Sequence, residues 1–225
     1  MTGSAPDTAP AAGFGTGAMR VPRLHAVTSD EIVTRPDFLD RAGRVMHSGR
    51  AHVAVHLRTA RLGGRALHEL ASRLAALQAE TGAWLVINDR ADVALTSGAR
   101  GVQLTSRSMS PADARRAAPA LAIGASVHSM EDAAAAVEAG AHWLVAGHVF
   151  ETGGRQVEEG RGVAFIERLA ATHAVPVIAI GGVRPEHVPV LRAAGAQGVA
   201  AIRGVWHARD ADAAVLEYLS AHGAP

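Results

Sequence analysis

Val175–Gly204 reads VPVIAIGGVRPEHVPVLRAAGAQGVAAIRG. Two short runs of Val, Ile and Ala, each too brief for an ordinary helix, flank a segment whose apolar residues recur at helical spacing. The unit is strand, helix, glycine, strand. The first run ends in Gly181-Gly182 and the second passes into Arg203-Gly204, so each strand hands over to a turn where backbone without a Cβ can approach a ligand. In a (βα)8 barrel the loops after the seventh and eighth strands are where a phosphate is commonly held by backbone N–H groups. A glycine pair also serves any tight strand-to-helix turn, so by itself it leaves both readings open.

Outward from this segment the same alternation runs back to Leu24 and forward to the C-terminus. Eight apolar runs read as strands: Leu24–Thr28, Val53–Leu57, Trp84–Asn88, Gly101–Leu104, Ala122–Ser126, Trp143–Gly147, Val177–Gly181 and Gly198–Ile202. Between them lie helical patterns such as Gly64–Ala79, Met130–Ala139 and Pro185–Ala193, with Gly82, Gly98, Gly140 and Gly195 placed as helix stops. Eight βα units in a chain of 225 residues close most naturally into one barrel. The expected class is therefore α/β, a (βα)8 TIM barrel in a single domain spanning residues 21–225. A doubly wound open sheet is the rival, but no G-x-G-x-x-G follows the first strand. Residues 1–20, rich in Gly, Ala, Thr and Pro, read as a disordered tail without the basic and apolar regions of a signal peptide.

Composition narrows the chemistry. The formal net charge is +1, so no broad basic face for nucleic acid is expected, and no apolar run approaches the roughly 20 residues of a membrane span. A cytoplasmic protein with a small-molecule ligand is expected; the sequence is compatible with a homodimer without deciding it. There is no cysteine, which removes thiolate nucleophiles and cysteine metal sites. All 22 basic residues are arginine, which removes a Schiff-base mechanism.

Barrel chemistry sits at the strand C-termini. There the sequence offers Arg58, Asn88-Asp89, Gln103, Arg107, Ser126, His128, Gly181-Gly182 and Arg203-Gly204. The period of two along a strand puts Ser126 and His128 on one side of the fifth strand. His128 is thus a candidate general acid/base, and equally a residue that caps the next helix or binds a loop carbonyl. Asp89 either caps the following helix or holds a hard cation, but the next strand end offers hydroxyls and Gln103 with no second carboxylate. No metal site and no cofactor are expected.

These residues resemble a family. Ala26-Val27-Thr28 with Asp30, INDR at Ile87–Arg90, GVQL at Gly101–Leu104, SVHS at Ser126–Ser129, GHVF at Gly147–Phe150 followed by Thr152, and PVIAIGG at Pro176–Gly182 stand in the order and spacing of the thiamine phosphate synthase superfamily. The resemblance runs from about Leu24 to Leu219, and SVHS and GHVF are similar to the TenI-like thiazole tautomerases. It implies an isomerase that aromatises a carboxythiazole phosphate tautomer in thiamine biosynthesis. His128 would move the proton, and Arg58, Arg107, Asn88, Gln103, Ser126 and Arg155 would bind substrate. Gly181, Gly182, Arg203 and Gly204 would grip the phosphate. The first alternative is a magnesium-dependent thiamine phosphate synthase, which joins a pyrimidine pyrophosphate to a thiazole phosphate. The family's second aspartate is Ser108 here, its lysine after the second strand is Ala60, and another lysine is Arg155. The second alternative is a non-catalytic regulator that keeps the thiazole phosphate pocket.

Overall fold

The computed structural model of the chain describes residues 19–151 and 160–223. Eight parallel strands close into a barrel in sequential order: β1 (Leu24–Val27), β2 (Val53–Leu57), β3 (Trp84–Asn88), β4 (Gly101–Leu104), β5 (Ala122–Val127), β6 (Trp143–Gly147), β7 (Val177–Ile180) and β8 (Gly198–Ala201). β1 pairs with both β2 and β8, which seals the sheet and leaves no edge among them. The expected TIM barrel is the observed fold. Strand ends shift by one residue at β1, β5, β7 and β8, because the closing turns take Thr28, Gly181 and Ile202 out of the ladder while Val127 stays in it.

The helices are α1 (Asp30–Val33), α2 (Phe38–Gly49), α3 (Gly64–Thr81), α4 (Ala91–Ser97), α5 (Pro111–Ala117), α6 (Met130–Glu138), α7 (Val163–Thr172), α8 (Val188–Ala193), α9 (Arg203–Trp206) and α10 (Ala211–Ala221). Their ends follow local chemistry. Ser110 and Ser129 cap α5 and α6 by accepting from Asp113 and Asp132 N–H. Gly82 and Gly98 stop α3 and α4 in the left-handed region. The helix expected over Pro185–Ala193 opens as a 3-10 turn, Pro185–His187, because Pro189 lacks the N–H that an α ladder would direct to the Pro185 carbonyl. The expected tail falls almost wholly outside the described residues.

Alternation along each strand builds two cores. Leu24, Val53, Val55, Leu85, Ile87, Val102, Ile123 and Leu144 face outward into the helical layer. Val27, Ala54, Trp84, Val86, Ala122, Trp143, Val145, Ile178 and Ala200 fill the lumen, and Val21 packs with them. The small residues make room for Trp143, whose ring lies where a Cβ at Gly124 would stand. Trp84 meets it edge-on at 6.2 Å. The lumen is packed, so ligand chemistry is confined to its mouth. Among the described residues, no helix is long and apolar enough to cross a membrane.

Candidate active site

The loops after β7 and β8 form one wall of the mouth. Gly181 and Gly182 sit at φ 101° and 63°, where side chains are disfavoured. A Cβ on Gly182 would stand 2.6 Å from the Glu151 carbonyl, and one on Gly181 would collide with His148. These glycines are therefore required by the crossing of the β6 and β7 loops as well as by any ligand. Gly182, Arg203, Gly204, Ser29 and Tyr218 all line a cavity of ≈ 1020 Å³. The first N–H groups of α9 have no intrahelical acceptor, as at any helix start. Tyr218, which the sequence reading missed, supports this wall from α10: its buried hydroxyl donates to the Val183 carbonyl at 2.9 Å and fills the space beside Gly204. Burial pushes the Tyr218 hydroxyl up to about 12. A tyrosine in a C-terminal helix carries no local signal of this role.

Below the opposite wall lies a polar ladder inside the lumen. Gln103 is buried; it accepts from the Trp143 indole at 3.0 Å and donates to Ser126 Oγ at 3.0 Å. This places Gln103 and Ser126 on the inner face, as the period of two requires. His25 and His56, also fully buried, contact each other at 2.7 Å, and His25 Nε2 meets the Pro22 carbonyl at 3.0 Å. Burial lowers His25 to about 4 and pushes His56 well below its ordinary value, with His25 adding to the second shift. Among the described residues, Asn88 Oδ1 is buried without a partner.

Asp89 neither caps α4 nor sits in a carboxylate cluster. It adopts φ 61°, and its Oδ1 accepts from Thr105 N–H, Thr105 Oγ1 at 2.8 Å and Ser108 Oγ at 2.6 Å. The expected capping role is thus corrected: Arg90 holds the N-cap position, and Asp89 instead ties the β4–α5 loop to the end of β3. Ser108, matched by the resemblance to the family's second aspartate, here donates a hydrogen bond to Asp89. Among the described residues, no three His, Cys, Asp or Glu side chains cluster as metal ligands. One carboxylate with one oxygen already taken does not fit a magnesium held by protein alone.

His128 follows β5 at the rim and is exposed. Its Nδ1 donates to the Gly147 carbonyl at 2.8 Å, while its backbone N–H donates to Asp132. The bond to the loop carbonyl is present, and the capping of α6 is done by Ser129. Arg58 and Arg107 follow β2 and β4 and are exposed; Arg203 opens α9 beside the cavity. Arg58 is fixed through its backbone, which exchanges hydrogen bonds with the Thr28 hydroxyl at 2.8 and 2.9 Å. The β2 loop is pinned further by Asp30, which accepts from Thr59 and from Ala60 and Arg61 N–H. The Thr59 hydroxyl, then the Ala60 N–H, hold its carboxyl below the usual range. Arg155 and Thr152 lie outside the described residues.

Residues 24–205 match the family described as Thiamine monophosphate synthase. The chain belongs to that family. It is 36% identical over 190 residues to a Thiamine-phosphate synthase of Methanoculleus marisnigri, covering 84% of this chain and 90% of the relative. It is 37% identical over 203 residues to the Thiamine-phosphate synthase of Salinispora arenicola, covering 88% and 96%. Among solved structures, a Thiamine phosphate pyrophosphorylase from Pyrococcus furiosus superposes with a TM-score of 0.78 at 30% identity, covering 89% of this chain and 95% of that one. These relatives overturn the expectation of a TenI-like tautomerase and of an isomerase. The expectation leaned on SVHS and GHVF and took Ser108 and Ala60 as losses. In the fold Ser108 completes the hold on Asp89 and the backbone of Ala60 completes the hold on Asp30, so neither substitution leaves a gap.

Proposed function

We propose that this protein is a thiamine-phosphate synthase, a transferase that joins a pyrimidine pyrophosphate to a thiazole phosphate and releases pyrophosphate. One observation supports this reading above the others. The loops after β2, β4 and β8 each bring an arginine, Arg58, Arg107 and Arg203, and none of the three has a carboxylate partner among the described residues. A carboxythiazole phosphate brings one carboxylate beside its phosphate, a smaller charge than a phosphate together with a pyrophosphate. Joining two substrates, one of which leaves as pyrophosphate, needs positive charge on two sides of the mouth.

On this reading Gly182, Arg203 and Gly204 hold the thiazole phosphate as a remote anchor, which reduces the entropic cost of bringing the rings together. Arg58 and Arg107 face the pyrophosphate and stabilise its departing charge. Asn88, Gln103 and Ser126 orient the pyrimidine from below.

Purified protein, given both substrates, should release one pyrophosphate for each thiamine phosphate formed. Absence of that product, with the protein folded, would sink the proposal. Running the reaction with and without a chelator tests separately whether a divalent cation enters with the pyrophosphate.

A further inference from the structure

Three neighbouring strands put Gln103, Gly124 and Trp143 side by side: Gln103 pairs in register with Gly124, and Gly124 with Trp143. A Cβ on Gly124 would stand in both the Trp143 ring and the Gln103 carboxamide, so the missing side chain is what lets those two meet across β5. We propose that Trp143 and Gln103 are positioning residues: a one-directional chain of hydrogen bonds, starting at the Trp143 indole, commits the Ser126 hydroxyl to donate to the pyrimidine pyrophosphate.

The direction follows from which atoms can donate. An indole N–H only donates, so the Gln103 atom that meets it at 3.0 Å is the carbonyl oxygen. This contact settles which way an otherwise reversible amide points. The other end of the carboxamide is the NH2, which only donates, and it meets Ser126 Oγ at 3.0 Å. Ser126 therefore accepts from Gln103, and its own proton points elsewhere. Among the described residues nothing accepts that proton.

The consequence is chemical. A free serine hydroxyl donates or accepts as its partner requires, whereas one held by Gln103 is set to give its proton to an acceptor. Ser126 stands two residues nearer the mouth than Gly124 and is half-buried, while Trp143 and Gln103 are buried. Gln103 is 2% exposed, so it serves the substrate through Ser126 rather than by touch. A pyrimidine pyrophosphate presents acceptors in its phosphate oxygens and ring nitrogens. The kinetic arm of the test rests on the synthase reading, which assigns this contact to the pyrimidine substrate; the spectroscopic arm does not depend on it.

Proton–nitrogen NMR on protein labelled with 15N in the glutamine side chains reads the Gln103 NH2 directly, its pair of signals assigned by loss in Gln103→Leu or Gln103→Glu. One of the two protons should lie downfield in the wild type and move upfield in Ser126→Ala, where its acceptor is gone. In steady-state kinetics Ser126→Ala should raise KM for the pyrimidine pyrophosphate about tenfold, with kcat within about threefold. Gln103→Leu removes the donor to Ser126, and Trp143→Phe frees the amide to turn over. Each should raise the same KM at least about threefold, but less than about twofold when added to Ser126→Ala. A merely structural role would raise KM by the same factor in both backgrounds. Equal factors therefore overturn the proposal, as does an unchanged KM in folded Gln103→Leu or a Gln103 signal that does not respond to Ser126→Ala. Should Gln103→Leu fail to fold, Trp143→Phe decides the same comparison. Wild-type protein that forms no thiamine phosphate overturns the synthase reading instead, and the Gln103 signals still decide the chain of hydrogen bonds.

Discussion

Gly182 and Asp89 are held in the same backbone region for different reasons, and substituting each separates anchoring from clamping. Gly182 at φ 63° has the Glu151 carbonyl where a Cβ would go. Gly182→Ala should therefore lower stability by more than about 1 kcal/mol, read from urea unfolding, and weaken thiazole phosphate binding in a calorimetric titration. Asp89 at φ 61° accepts all three of its bonds through Oδ1. Asp89→Ala frees Thr105 and Ser108 together, so the β4–α5 loop that carries Arg107 loses its tie. We expect kcat/KM for thiamine phosphate formation to fall at least about tenfold. His128→Ala makes the opposite case. If no proton carrier is needed, removing an exposed ring bonded to the Gly147 carbonyl should lower turnover by less than about tenfold, and a complete loss would return proton transfer to the rim.

At the level of elements, the wall that holds the phosphate depends on a helix distant in sequence. Tyr218 of α10 donates to Val183 and occupies the space over Gly204. Tyr218→Phe should keep the packing, leave the Val183 carbonyl unsatisfied and cost about 1–2 kcal/mol, with a matching rise in KM for thiazole phosphate. This dependence explains what was legible beforehand. Strands and glycine stops were readable because alternation and left-handed turns are local properties of the chain, as at Val53–Leu57 and Gly98. Gln103 and Ser126 were readable because the period of two fixes a face. Tyr218 was not, because its contacts span 35 residues of separation to Val183. The role of Asp89 was misread for the same reason: capping is decided within one turn, whereas its true partners arrive in the loop after the next strand. The choice of reaction was misread because a motif such as SVHS reports a backbone position and not what the neighbouring loops supply.

For the molecule as a whole, two neutral imidazoles inside the barrel couple folding to pH. His25 is lowered to about 4 by burial, against about 6.5 when exposed, and His56 is shifted in the same direction. Between those two values the unfolded chain binds a proton that the folded chain refuses, so stability falls as pH falls through this window and is unaffected above it. Each such histidine contributes a slope of about 1 kcal/mol per pH unit near pH 5. His142 and His222 are lowered by their burial and add to it; His47, raised by its bond to the Gly43 carbonyl and then by Glu80, opposes it from an exposed position. The lowered carboxylates, Asp30 among them, act only at more acid pH. Urea unfolding of the wild type at pH 7, 6 and 5 should show stability dropping most steeply over the last interval. His25→Leu should show a shallower drop than the wild type, because one of the refused protons has been removed. Equal slopes in the two proteins would mean that the lumen admits protons in the folded state, and with them that the buried histidines are not held neutral by the barrel.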